Sequence, residues 1–326
     1  MVQLHLSLST ARRMRSSGDA VISSCFVSHL REAARRHQEN MCVLSACTLR
    51  QHLKHEHLEF RYWVEPGLSP RAMSRLQGLA DSVEVVQPVE WPRSNRARPP
   101  LEREYSFHKL HLWNLTAFAR ILYFDPDVIW SADAARYFER YGHAPRVAVA
   151  EFNGSLVPRW WRDQRLRYIN SGLLLLRPSQ KEWASLMSRW AAHDYLSMPE
   201  VKTSSRVGGL AARRKTSEQD VLRAHFADGD GSRFTPMDQC DNFRGYVKAT
   251  RLANSRRHEA GGQASCDPAQ VIAWHGMRFG SKASKQCRKL AGVTVPPLTR
   301  SLQDWERMWE WRRHTPTKLR GGRSLA

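Results

Sequence analysis

No run of 18 apolar residues occurs in this 326-residue chain, and a helix of about that length is the least that spans a bilayer. The first 20 residues hold no apolar region before Arg12, Arg13 and Arg15, so a secretory leader is not expected. These two absences predict a cytoplasmic location; a Golgi lumen would require an N-terminus that starts further upstream. Cysteine is scarce, at six residues (Cys25, Cys42, Cys47, Cys240, Cys266, Cys287). None forms a C-x-x-C pair or a zinc-ligand spacing, which excludes a zinc ribbon or a thioredoxin-like centre. The thiols are therefore expected to be free, since bridges need an oxidising lumen that the N-terminus does not announce. Internal repeats are absent, which excludes a solenoid.

Acidic residues are under-represented: 31 against 51 basic ones, for a formal charge of +20. Lysine is rare as well, with 10 residues against 41 arginines. Such an excess invites nucleic acid as a partner. The charge is spread along the chain, however, and no RNA-recognition motif or aromatic–basic interleaving is present. Nucleic acid is therefore not the expected partner. With 41% hydrophobic and 10% aromatic residues the chain has material for a sizeable core.

Apolar runs alternate with helix-like segments from residue 20 onward. Strands are predicted at 20–27, 58–64, 82–86, 120–124, 147–152, 169–176 and 271–275. Helices are predicted at 41–53, from Pro70 with Ser69 as its cap, at 107–115, at 179–190 and at 217–226, with a last Trp-rich helix around Trp305 and Trp309. Strand and helix in this rhythm imply a mixed, mostly parallel sheet flanked by helices. The Pro- and Arg-rich stretch 88–100 and the polar, basic stretch 195–215 read as loops.

Asp125-Pro126-Asp127 follows the buried run Arg120-Ile121-Leu122-Tyr123-Phe124. Open α/β sheets bind ligands at the carboxyl ends of their strands. Two hard oxygen donors there suit magnesium or manganese on a diphosphate. The rival reading of this tripeptide is an Asp-rich turn that caps the next helix. Ahead of it stand Phe107, Lys109, Leu110, Trp113, Leu115 and Thr116. Behind it come Ile169-Asn170-Ser171-Gly172-Leu173 running to Pro178, then Glu218-Gln219-Asp220, then Trp274-His275-Gly276 with Gly280 and Lys282.

In that order the motifs resemble the glycogenin-like glycosyltransferases, family 8, of the GT-A fold. The resemblance is strongest over 105–180 and extends more weakly over about 20–290. It implies an N-terminal extension at 1–18, a catalytic domain at 19–298 and a helix with a basic tail at 299–326. It implies a retaining hexosyltransferase that moves sugar from a UDP-sugar, UDP-glucose-like, to a protein, glycan or lipid acceptor. Asp125, Asp127 and His275 would ligate manganese, or magnesium in its place. Lys109 would reach the donor sugar or its phosphate, and Glu218 would stand at the reacting face. Gln219 and Asn170 would hydrogen-bond sugar hydroxyls. Gly172, Gly276 and Lys282 would line the donor site, Lys282 facing the departing diphosphate. The contrasting expectation is a catalytically inactive GT-A-like basic protein that binds RNA or an acidic polysaccharide. A homodimer is an open option on either reading.

Overall fold

A computed structural model describes residues 18–27, 30, 32–86, 105–151, 169–192, 218–226, 234–238, 241–243, 271–275 and 285–292. Predicted features at 1–17, 88–100, 195–215 and around Trp305 and Trp309 lie outside them, as do Gly276 and Lys282. The elements in chain order are β1 (Asp19–Cys25), α1 (Glu32–His52), β2 (Glu59–Val64), α2 (Pro70–Gln77), β3 (Ser82–Val85), a 3-10 helix (Tyr105–Asn114), β4 (Arg120–Phe124) and β5 (Val128–Trp130). Then follow α3 (Ala135–Tyr141), β6 (Val147–Glu151), β7 (Ile169–Leu176), α4 (Gln180–Ala192), α5 (Glu218–Phe226), β8 (Thr235–Met237), β9 (Asn242–Phe243), β10 (Ala273–His275) and α6 (Lys285–Ala291).

Seven strands form one sheet in the order β3-β2-β1-β4-β7-β6-β8. β1, β2, β3 and β4 run parallel, β7 is antiparallel to both β4 and β6, and β6 pairs parallel with β8. The sheet is thus mixed and mostly parallel. Side chains alternate across it with the period of two that a strand imposes. Leu122 and Phe124 of β4 join the core on one face, with α1 and α3; Ile121 and Tyr123 join the core on the other, with the 3-10 helix, α4 and α5. Burial on both faces explains why these strands read as continuous apolar runs.

A second, three-stranded sheet has the order β5-β10-β9. β10 runs antiparallel to β5, with His275 opposite Val128. This small sheet sets a segment from late in the chain beside the exit of β4. Its backing is α1: Ser45 Oγ donates to the Val128 carbonyl, and Thr48 Oγ1 accepts from Trp130 N at 3.2 Å.

Three expectations are corrected. The segment predicted as an ordinary helix at 107–115 is a 3-10 helix. Phe107 to Leu110, Leu112 and Trp113 are all buried, and packing on nearly every side overrides the one-sided pattern an amphipathic α-helix needs. Helix α1 starts at Glu32, well before the predicted 41. Its first half is polar and laced by the Arg36–Glu32 and Arg35–Glu39 pairs at i, i+4, so it shows no apolar period. The third correction concerns the thiols. Cys25 bridges Cys42, and Cys47 bridges Cys287, where free cysteines were expected. The bridges span 17 and 240 residues, and neither separation carries a local sequence signal. By contrast the cap at Ser69 is as predicted, its Oγ accepting from Ala72 N at 3.3 Å.

On the 3-10 helix, burial and then the neighbouring His108 push the His111 imidazole from its ordinary 6.5 down to about 4. A group whose folded pKa is depressed contributes stability that is complete above its unfolded pKa and is lost as pH falls through the window between the two. Unfolding free energy should therefore decline as pH drops from 6.5 towards about 4. Urea denaturation across that window should show a shallower decline for His111→Gln; an unchanged slope would assign the loss to other groups.

Candidate active site

The exit of β4 is held from beneath. Tyr123, two residues before Asp125 and hence on the same face of the chain, donates its hydroxyl to Asp125 Oδ1 at 2.9 Å. That hydroxyl also lies 2.8 Å from Ser24 Oγ at the end of β1. Burial first, and the Asp125 charge next, hold the Tyr123 phenol well above its ordinary pKa, so it remains a donor. On the backbone side Asp125 N donates to the Gly172 carbonyl at 2.8 Å. Asp125 is thus fixed from β1 and β7 as well as from its own strand.

Lys109 comes from the 3-10 helix and is 7% exposed. Its Nζ lies 2.8 Å from Asp125 Oδ1 and 3.0 Å from Glu218 Oε1. It also donates to Ser171 Oγ at 3.2 Å, and it stands 5.2 Å from the centre of the Tyr123 ring. Burial alone would discharge such an ammonium. Asp125 and then Glu218 outweigh it, and Lys109 sits well above the ordinary lysine range. Glu218 is the reciprocal case. Burial raises its pKa, but the Lys109 charge and hydrogen bonds from Ser106 and Ser171 hold it below the usual carboxylate range. The site therefore contains a charged lysine between two carboxylates, with no water needed to satisfy it.

Asp125, Asp127 and His275 converge at the edge of this network, each offering one ligand atom within 4.8 Å of the other two. His275 Nε2 lies 3.4 Å from Asp127 Oδ1. Two carboxylates and an imidazole are an oxygen and nitrogen donor set that can hold a divalent cation. Gly172 makes room for the imidazole. A Cβ added there would lie 2.2 Å from His275 Cε1 and 2.6 Å from Nε2, so no larger residue fits without displacing the ring. Gly172→Ala should accordingly weaken binding of a divalent cation about tenfold or more with the far-UV spectrum unchanged. Manganese titration followed by electron paramagnetic resonance measures this, and equal affinity would place His275 outside the ligand set.

Of the residues proposed from sequence, the structure brings together Lys109, Asp125, Asp127, Gly172, Glu218 and His275. Asn170 is buried close by, and its Oδ1 accepts from Gly172 N at 2.8 Å, a contact inside strand β7 where its pairing with β6 shifts register. Gln219 stands half-buried in the first turn of α5, beside Glu218. Glu218 itself is 2% exposed and is enclosed by Lys109, Ser171 and Ser106. Gly276 and Lys282 lie outside the described residues. Tyr123, Ser24, Ser171 and Ser106 carried no expected role. Tyr123 was legible in principle, because residues i and i+2 of a strand share a face.

With this geometry established, solved structures give the chain its context. A galactosyltransferase, LgtC, determined with donor and acceptor sugar analogs, superposes with a TM-score of 0.51 over 90% of this chain and 99% of its own, at 14% sequence identity. Mouse xyloside xylosyltransferase 1 in its apo form matches with a TM-score of 0.50 over 79% of this chain and 97% of its own, at 13% identity. The fold is that of the GT-A glycosyltransferases. No family model and no curated protein sequence matches the chain.

Proposed function

We propose that this chain is a metal-dependent, retaining glycosyltransferase of the family 8 type. It transfers a hexosyl unit from a UDP-sugar, UDP-glucose-like, to a protein, glycan or lipid acceptor, with manganese as the ion. The observation that carries the reading is the convergence of Asp125, Asp127 and His275 within 4.8 Å at the carboxyl end of β4. That is the end of an open sheet at which ligands bind. A GT-A fold shared with an enzyme determined with donor and acceptor sugar analogs supports it independently. Fold alone does not specify chemistry, so the site residues are what point to sugar transfer.

The bond that breaks in such a transfer joins the sugar's anomeric carbon to the diphosphate, and negative charge grows on the departing oxygen. The bound ion supplies a Lewis acid for that charge. This chain's own residues do the rest. Asp125 and Asp127 hold the ion with His275. Lys109, fixed by Asp125 and Glu218, places a permanent positive charge at the edge of the donor site, where electrostatic stabilisation needs no reorganisation. Gln219 and Asn170 face the sugar hydroxyls. Gly172 and Gly276 line the donor site, and Lys282 neutralises the departing diphosphate as a point charge.

The test is a screen of UDP-sugars read by UDP release, with manganese, with magnesium and with a chelator. The expected result is release from one hexose donor that rises with manganese and stops on chelation. Absence of release from every donor, together with absence of UDP binding, would refute the reading.

A further inference from the structure

The four described cysteines are all paired, and both bridges meet on α1. Cys42 and Cys47 are five residues apart on that helix, which turns their side chains about 140° from one another. One therefore reaches β1 and the other α6. Cys25, Cys42 and Cys287 have no exposed surface, and Cys47 has 5%, so none is presented as a reactive thiol.

Each bridge secures one side of the cation site. Cys25 adjoins Ser24, whose hydroxyl meets Tyr123 and through it Asp125. The Cys25–Cys42 bridge therefore fastens to α1 the strand end that supports the first carboxylate. Cys287 lies in α6, the next described element after the strand that delivers His275. Thus Cys47–Cys287 fastens to the same helix the element that follows, in chain order, the strand carrying the imidazole. On the same helix, Ser45 and Thr48 bind the backbone of β5, the strand paired with His275. One helix thereby backs all three ligands, and two covalent links hold it in place.

We propose that Cys25–Cys42 and Cys47–Cys287 are positioning staples of the cation site, and that the protein works where thiols are kept oxidised. This rests on the reading of Asp125, Asp127 and His275 as metal ligands. Each bridge forms when two thiols give two protons and two electrons to a protein disulfide oxidant, of the class that oxidising compartments maintain. Loss of a staple frees the segment it holds, and the ligand on that segment no longer keeps its place.

The test begins with unaltered protein from its source cell, acid-quenched and alkylated before and after reduction. Cys25, Cys42, Cys47 and Cys287 should react only after reduction, and the peptides 25–42 and 47–287 should be recovered linked. Manganese affinity is then measured by electron paramagnetic resonance on oxidised protein, on protein reduced without denaturant, and on Cys47→Ala/Cys287→Ala. A drop of about tenfold or more is expected in the last two. Thiols that label without reduction would overturn the proposal. So would unchanged affinity in reduced protein, whether or not the double variant folds. Oxidised protein that binds no manganese would instead remove the metal reading, and this proposal with it.

Discussion

Replacing Asp125 and Asp127 together by Asn should abolish manganese-dependent UDP release while leaving the fold in place. Asparagine keeps size and hydrogen-bonding capacity but gives up the charge, and a hard divalent cation needs that charge. The expected loss is about a thousandfold or more, equivalent to about 4 kcal/mol of transition-state stabilisation. Structure should be affected less. Asp127 is a third exposed, the Asn at 125 still accepts from Tyr123, and Lys109 keeps one carboxylate partner in Glu218 at 3.0 Å. A double variant that retains manganese-dependent turnover would move the cation elsewhere. One that loses UDP release but still binds manganese would mean that the ion serves another purpose.

The second large effect is on stability. In Lys109→Met, Glu218 and Asp125 lose a cation at 3.0 Å and 2.8 Å respectively. Removing one partner of a buried ion pair leaves an uncompensated charge and costs about 3–5 kcal/mol. The pH dependence should change form as well. In the unaltered protein the folded pKa of Glu218 is depressed. Its contribution is present above the unfolded carboxylate pKa and is lost only as pH falls through the lower folded value. Without Lys109, burial is left to dominate and Glu218 takes up a proton more readily. The variant should then regain stability as pH falls from 8 to 5, opposite to the trend expected from His111. Lys109→Met/Glu218→Gln should be more stable than Lys109→Met alone, because no buried carboxylate at 218 is stranded. Urea unfolding of the three proteins at both pH values measures this. Equal stability of unaltered protein and Lys109→Met would show that Lys109 is not buried between the carboxylates.

The residues that could be read from sequence were those whose local pattern carries their role. Arg120 to Phe124 is an apolar run that ends in two carboxylates, and His275 closes the run 271–275; each pattern is complete within a few residues. What could not be read depends on contacts between distant segments. The sequence places Lys109 at the donor and Glu218 at the reacting face, and nothing in either segment reveals that they bind one another. The N-terminus and the cysteine spacing predict free thiols, while pairing depends on where β1, α1 and α6 pack. β5 has three residues and α3 has seven, too few for a periodic signal. The 3-10 helix shows no one-sided apolar period, because its buried residues surround the axis.

The pairing of β10 with β5 has a consequence for synthesis. The last strand of the seven-stranded sheet ends at Met237, so a nascent chain can complete its main scaffold before His275 leaves the ribosome. The cation site can close only when that late segment docks beside Asp127. A product terminated between Met237 and His275 would carry every strand of the large sheet and both carboxylates, yet lack the imidazole. Such a fragment would be inert, and it would also lack the late residues, Cys287 and Ala291 among them, that complete the core against α1.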